Sequence, residues 1–505
     1  MPNPLFESLF GHHVSNDAPF LHLADGAIVS YADFLGQVAQ FAHALTGSDV
    51  KPGDRVAAQI EKSPQALALY AACVQSGAVF LPLNTAYTID ELTYFIENSG
   101  ARLVVCDARQ EAGLEPVAEK LGAGLHTLNA DGSGSLATQA ADLPTTFETV
   151  DRALTDLAAL LYTSGTTGRS KGAMLTQDNL LSNAQTLVDY WQFSAGDVLL
   201  HALPIFHTHG LFVATNITLL AGGSMIFLPR FDVDQMIAAL PKATTMMGVP
   251  TFYTRLLDDA RFTGDLVAHF RLFVSGSAPL LAETHKQFEA ITEHRILERY
   301  GMTETNMTTS NPYDGARRAG TVGFPLPGVE LKITNAETGA ILPTGEVGQI
   351  EVRGPNVFKG YWQMPEKTAA ELRADGFFIT GDLGRVDEDG YVHIVGRNKD
   401  LIISGGYNIY PKEIELVLDA QPGVLESAVI GVPHADFGET VVGILVAEKG
   451  AAVDTEAVGA AVQDVLARFK HPRKLIVVES LPRNTMGKVQ KNLLRDEYGG
   501  LFAAT

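Results

Sequence analysis

The sequence predicts an α/β protein in two parts: a large N-terminal domain with helix-covered sheets and a β-rich subdomain, and a small mobile C-terminal α+β domain. Three observations lead there. Apolar runs of strand length alternate with helix-length segments through the first half of the chain. Two stretches, Val329 to Arg353 and Phe377 to Ile403, change to short alternating strands separated by Gly, Asp and Pro turns. From Asn408 onward a compact helix–strand–strand–helix succession takes over. The domains are drawn as 1–398 and 399–505, with Lys399 at the join.

Taken in order, Arg55 to Ile60 reads as a strand, Ser63 as a helix cap with Pro64 in the first turn, Gly77 as a stop and Ala78 to Leu83 as the next strand. That is one βαβ unit. A helix from about Ile89 to Asn98 precedes the strand Leu103 to Cys106, and Val198 to Leu203, a helix after Gly210 and Ser224 to Leu228 repeat the pattern. In the C-terminal part Pro411 to Leu418 reads as a helix, Ser427 to Val432 and Thr440 to Ala447 as strands, and Thr455 to about Arg468 as a helix.

With 505 residues the chain has room for about three average domains and large packed cores. Its formal charge of −21 works against general affinity for nucleic acid or anionic lipid, so an anionic ligand must be attracted locally. The two cysteines, Cys73 and Cys106, sit in apolar runs and read as small buried hydrophobes. The segment starting Met1-Pro-Asn-Pro has no basic region followed by an apolar core, and no apolar stretch is long enough to span a bilayer; a cytoplasmic location is expected.

Tyr162-Thr-Ser-Gly-Thr-Thr-Gly-Arg-Ser-Lys-Gly172 carries the chemistry most clearly. A Gly-rich turn lets the backbone approach phosphate oxygens, while Ser164, Thr166 and Thr167 offer hydroxyls and Lys171 a mobile charge. It is not a Walker A loop, since Lys171 is followed by Gly172 instead of a hydroxyl residue. Alone, such a composition is more often a linker, but apolar runs on both sides make it a loop between packed elements. Tyr300-Gly-Met-Thr-Glu-Thr305 sets a carboxylate among hydroxyls, suited to magnesium and a phosphate oxygen. Thr380-Gly-Asp382 would present a carboxylate at a turn, able to accept both hydroxyl protons of a ribose, although ordinary turn chemistry explains such a tripeptide as readily. Gly396 to Asn408 combines charged residues with a double glycine, as a hinge and a close-approach loop require, or as a surface linker would show. Pro482 to Lys488 puts a lysine on a Gly-containing loop, by itself an ordinary solvated charge.

In their order along the chain these five segments resemble the adenylate-forming superfamily, the acyl-CoA synthetases and their relatives, over essentially the whole length. Within it the sequence is similar to the malonyl-CoA synthetases through Leu203 to Phe212, Met247 to Leu256, Ser275 to Pro279 and Glu298 to Asn306. The resemblance implies two reactions in one site: malonate attacks the α-phosphate of MgATP, giving the acyl-adenylate and pyrophosphate, and the thiol of coenzyme A then displaces AMP. It implies that Thr163, Ser164, Gly165, Thr166, Thr167, Gly168 and Lys171 hold the β and γ phosphates. Thr303 contacts the α-phosphate and Glu304 ligates magnesium, with Thr166 as a further metal contact. Asp382 and Arg397 take the ribose, while Ser275, Gly276, Ser277 and Ala278 with Glu298, Arg299, Tyr300 and Gly301 line the adenine slot. Lys488 bridges the acyl carboxylate and the α-phosphate. A turn about Lys399 then replaces its loop with Ser404, Gly405 and Gly406, past which pantetheine runs. A lysine acetyltransferase acting on Lys488 would abolish the same charge.

A second carboxylate on the substrate demands a cation in the acyl pocket. Arg255 is the first candidate, and an ion pair with Asp258 or Asp259 on a helix surface is its alternative explanation. Arg299 is the second, with Ser277, His207 and Met302 as neighbours. His201, His207 and His209 also invite a metal reading, but no Cys or carboxylate nearby completes a zinc set. Lys470 and Arg473, beside Lys474, are expected to meet coenzyme A phosphates or simply solvent. Other readings are a ligase for methylmalonate or another small acid, an adenylation enzyme that loads a carrier protein, and a nucleotide-responsive binding protein. The last would have no use for Lys488 and would release no pyrophosphate.

Overall fold

Local signals become helix ends where the chain can satisfy its backbone. The Ser63 hydroxyl accepts from the Ala66 amide, Pro64 occupies the first turn of the helix Pro64–Ser76, and Gly77 closes it at φ 76°, where a side chain would be strained. Thr88 and Glu91 form a reciprocal capping box at the start of Ile89–Ser99. The computed structural model describes residues 2–163, 170–404, 407–434, 437–484 and 487–502. Chain packing divides them into two compact units, 1–330 with 353–378, and 331–352 with 379–505. The β-rich segment thus groups with all that follows Lys399, and the expected join at 398/399 lies inside the second unit.

In the first unit, two sheets share the α/β plan. A six-stranded sheet runs in the order Gly124–Thr127, Leu103–Cys106, Arg55–Gln59, Val79–Pro82, Leu157–Thr163, Lys171–Thr176. Its strands are parallel except the last pair, an antiparallel hairpin closed at Thr163 and Lys171. Leu81, Phe95, Val104 and Leu160 are buried between this sheet and its helices. The nine-stranded sheet contains a parallel set, Thr245–Gly248, Leu272–Ser275 and Leu297–Met302, with Val198–His201 beside the first. In register Met247 lies opposite His201, Gly248 opposite Ser275, and Ser275 opposite Glu298. The segments leaving these strands therefore emerge along one edge, where α/β sheets place their ligands. The helix expected after Gly210 begins as a π-helical turn, His209–Thr215, before becoming α-helical at Asn216–Ala221. Such turns are rare and gather at functional sites.

The second unit holds two sheets. One has the order Glu330–Thr334, Gly348–Arg353, Phe378–Val386, Val392–Arg397. The other joins Tyr407–Ile409, Ile402–Ser404, Gly438–Ala447 and Val424–His434, with Lys474–Val478 parallel to Gly438–Ala447. Alternate residues divide its two faces. Val429, Val441 and Leu445 meet Ile414 and Leu418 of the helix Pro411–Asp419 on one side, while Ile430, Val442 and Ile444 meet Leu494 of Lys491–Tyr498 on the other. Each such apolar side chain contributes about 1.5–3 kcal/mol when removed from water.

Candidate active site

Three groups converge at the strand ends of the first unit. The first surrounds Lys171. Its Nζ lies 3.6 Å from Glu371 Oε2 and 4.3 Å from the centre of the Tyr361 ring. The Tyr361 hydroxyl is 2.7 Å from the same Glu371 oxygen and 3.1 Å from Glu304 Oε1. A hydroxyl has one proton, so the shorter contact takes it. Burial and the two carboxylates push the Tyr361 phenol up, while Lys367, Tyr361 and Lys171 overcome burial to hold Glu371 below its ordinary range. Thr163 closes the hairpin with Lys171; Ser164, Gly165, Thr166, Thr167 and Gly168 lie outside the described residues.

The second group is the tight hairpin between Leu297–Met302 and Asn306–Ser310, with Thr303 and Glu304 in its connection. Gly301 is required there, because a Cβ would stand 1.8 Å from the Asn306 carbonyl oxygen. Glu304 is buried, a hard oxygen donor of the type magnesium prefers. Glu298 is also buried, accepting from the Gly320 amide at 3.2 Å, and Tyr300 and Met302 are partly exposed.

The third group gives the site its character. Arg299 is 4% exposed, and its Nε and Nη2 have no hydrogen-bond partner among the described residues. Burial pulls the guanidinium down to about 9, against a smaller upward pull from Tyr253. Ser275 ends the neighbouring strand, Gly276 follows it, and Ser277 takes φ 72°, strain of the kind that collects at binding sites. The Ser277 hydroxyl is 3.1 Å from His209 Nδ1, and His209 Nε2 has no partner among the described residues. His207 keeps part of its surface in solvent, yet its ring is desolvated; this, with the charge of Arg299, pulls it down to about 4. Both histidines are therefore neutral near pH 7.

Arg255, the first candidate for the acid, is exposed on Pro250–Leu257 with its guanidinium 5.7 Å from the Phe231 ring centre. The alternative ion pair with Asp258 or Asp259 is not found among the described residues, and Asp259 is instead held by Arg261 at 2.7 Å. Arg299, by contrast, is a buried cation with two nitrogens unpartnered among the described residues.

In the second unit, Asp382 lies inside the strand Phe378–Val386 instead of at the expected turn. Gly381, at φ 73°, supplies the local bend while pairing continues, and Asp382 faces Arg397 on the next strand, Oδ1 to Nε 2.6 Å. Lys399 sits in a 3-10 turn at 398–400 and Ser404 pairs with Tyr407; Gly405 and Gly406 lie outside the described residues. The loop of Lys488 is closed on itself: the Lys488 amide donates to Asn484 Oδ1 at 2.9 Å and its carbonyl accepts from the Asn484 amide. The residue is exposed by area, but its amine is the desolvated end. Desolvation, then Arg397, with Asp382 opposing, pulls it down to about 8. Lys470 bonds Glu413 at 2.5 Å, and Arg473 stacks 4.5 Å above Phe437.

Sequence reasoning missed Tyr361, Glu371 and His209 as site residues. His209 stood in a visible cluster; nothing near Tyr361 or Glu371 distinguishes them before folding brings them to Lys171.

Lys171 at the end of a hairpin of one sheet, with a buried carboxylate and a guanidinium unpaired among the described residues at the edge of the other, fits an enzyme of the adenylate-forming class. The chain belongs to that class: residues 12–362 match the AMP-binding enzyme family and 413–488 the AMP-binding enzyme C-terminal domain. It is similar to MatB from Rhodopseudomonas palustris, solved with ATP bound, at 58% identity and TM-score 0.97 over 99% of this chain and 100% of that one. A malonate–CoA ligase of Arabidopsis thaliana is 39% identical over 83% of this chain and 74% of its own. A feruloyl-CoA synthase of Amycolatopsis is 35% identical over 94% and 95%. No helix among the described residues is long and apolar enough to cross a membrane.

Proposed function

We propose that the chain is an AMP-forming acid–thiol ligase that joins malonate to coenzyme A through malonyl-adenylate. The observation that carries this is Arg299, buried with two guanidinium nitrogens unpaired among the described residues, in the neighbourhood of Ser277, His207 and His209. A buried cation without a partner is costly, and the distal carboxylate of a dianion supplies what it lacks. The relatives that ligate malonate support the same choice.

The reacting carboxylate oxygen attacks the α-phosphorus as the bond to the pyrophosphate oxygen breaks. Coenzyme A sulfur then attacks the acyl carbon, AMP leaves with its oxygen, and the thiol proton passes to solvent. Charge grows on the α-phosphate and on the leaving pyrophosphate, so fixed cations and donors lower the barrier. Lys171 and the hydroxyls of the hairpin hold the terminal phosphates, Thr303 contacts the α-phosphate, and Asp382 with Arg397 takes the ribose. Glu304 would hold magnesium, which supplies charge neutralisation for the phosphates. Lys488 brings its ammonium between the two reacting anions. The part of the chain that follows Lys399 then turns about it, and Ser404 with its neighbouring loop gives coenzyme A access, its phosphates meeting Lys470 and Arg473.

The test is ATP- and magnesium-dependent thioester formation with malonate, methylmalonate, acetate and a longer fatty acid, each product resolved by mass. Removing the distal carboxylate leaves Arg299 unpaired, worth about 3–5 kcal/mol, so acetate should react at least about a hundredfold less efficiently. Preference for a monocarboxylate would refute the dianion pocket, and pyrophosphate release without any thioester would point to a carrier protein as acceptor.

A further inference from the structure

Lys62 is a buried lysine that the reaction above does not use. It follows the strand Arg55–Gln59, is 9% exposed, and is pulled well below its ordinary range by burial. No carboxylate pairs with it among the described residues. Its Nζ lies 2.9 Å from His201 Nδ1, 2.8 Å from the His201 carbonyl oxygen and 4.2 Å from the centre of the Phe227 ring.

His201 transmits this constraint. Its Nε2 is 2.9 Å from the Gly210 carbonyl oxygen, which can only accept, so Nε2 carries the proton and Nδ1 is left to accept from Lys62. Burial, followed by the charge of Lys62, keeps the imidazole neutral. Thr215 donates to the same Gly210 oxygen at 2.9 Å. Gly210 also packs so closely that a Cβ would meet the Pro204 carbonyl oxygen at 2.1 Å. It belongs to the π-helical turn His209–Thr215, and its amide donates to the His207 carbonyl at 3.1 Å. One hydrogen-bonded path therefore runs from Lys62 through His201 and Gly210 to the backbone carrying His207 and His209, both of which feel the charge of Arg299.

We propose that Lys62 is a positioning residue for acid selection: it fixes the tautomer of His201, which anchors the π-helical turn that presents His207 and His209 to the acid. This rests on the reading that the acid binds beside Arg299. Lys62→Met keeps the length of the side chain and removes its donors. The Michaelis constant for malonate should rise about tenfold, the cost of one buried hydrogen bond, while that for ATP stays within about twofold. Lys62→Arg, which restores donors, should recover part of the loss. A lysine that only supports the fold would lower thermal stability and the amount of active enzyme with malonate affinity intact, and that result overturns the proposal. Should Lys62→Met not fold, nitrogen NMR of the histidine-labelled wild-type enzyme decides. His201 should show the Nε2–H tautomer and shift when malonate binds. The other tautomer, or shifts at His207 or His209 with none at His201, defeats the role of Lys62. Malonate binding that moves none of the three histidines defeats the acid-pocket reading on which it stands.

Discussion

Gly276 and Arg299 lie in contact across adjacent strand ends: a Cβ at 276 would stand 2.3 Å from the Arg299 Cζ and 2.4 Å from its Nη1. The guanidinium occupies the space that the glycine leaves open. Gly276→Ala should push Arg299 out of place and lower kcat/KM for malonate by about 10- to 100-fold, an overpacking cost of about 1–3 kcal/mol. Steady-state thioester assays decide. A larger change in the Michaelis constant for ATP than in that for malonate would assign this strand end to the adenine slot alone.

The two arginines can be separated by substrate. With Arg299→Lys the planar fork is lost, and malonate efficiency should fall by about two orders of magnitude with little change for acetate. Arg255→Ala, at an exposed position, should cost malonate less than that. Arg255→Ala matching Arg299→Lys in its selectivity for malonate would make both arginines ligands of the acid. Equal small losses for malonate and acetate would make Arg255 structural.

Lys488 should matter to one half-reaction. Lys488→Ala should abolish adenylate formation from malonate and ATP and retain thioester formation from supplied malonyl-adenylate; equal losses in both would remove it from the reaction. The role needs the charged form, and the amine is pulled from 10.5 to about 8. Adenylation by the free enzyme should therefore decline as pH rises through about 8, two units earlier than for a solvated lysine. A profile flat to pH 10 would mean that the ammonium is not required.

Glu371 pairs with Lys171 and would compete with a bound phosphate for it. Glu371→Gln keeps the shape and removes the counter-charge, so the Michaelis constant for ATP should fall by about two- to fivefold, as expected for a partly exposed ion pair. A rise instead would mean that Glu371 aligns Lys171 for the nucleotide.

The order of helices and strands was legible because its causes are local: Ser63 and Pro64 start a helix, Gly77 stops it, and Leu103 to Cys106 is a strand with the expected bounds. The segments assigned to nucleotide stood out for the same reason, since a Gly-rich loop and a carboxylate near a glycine are short-range arrangements of residue types. Which arginine is buried and unpartnered among the described residues was not. Arg255 and Arg299 have the same charge and reach in sequence, and only sheet register, which puts Ser275 beside Glu298, tucks Arg299 against Gly276 and leaves Arg255 on an outer helix face. Asp382 read as a turn residue because Gly381 precedes it, but the bend is absorbed within a paired strand. Likewise the partners of Lys171 and Lys62 come from Glu371 and His201, far along the chain, and such pairings exist only once long-range packing has removed water from both groups.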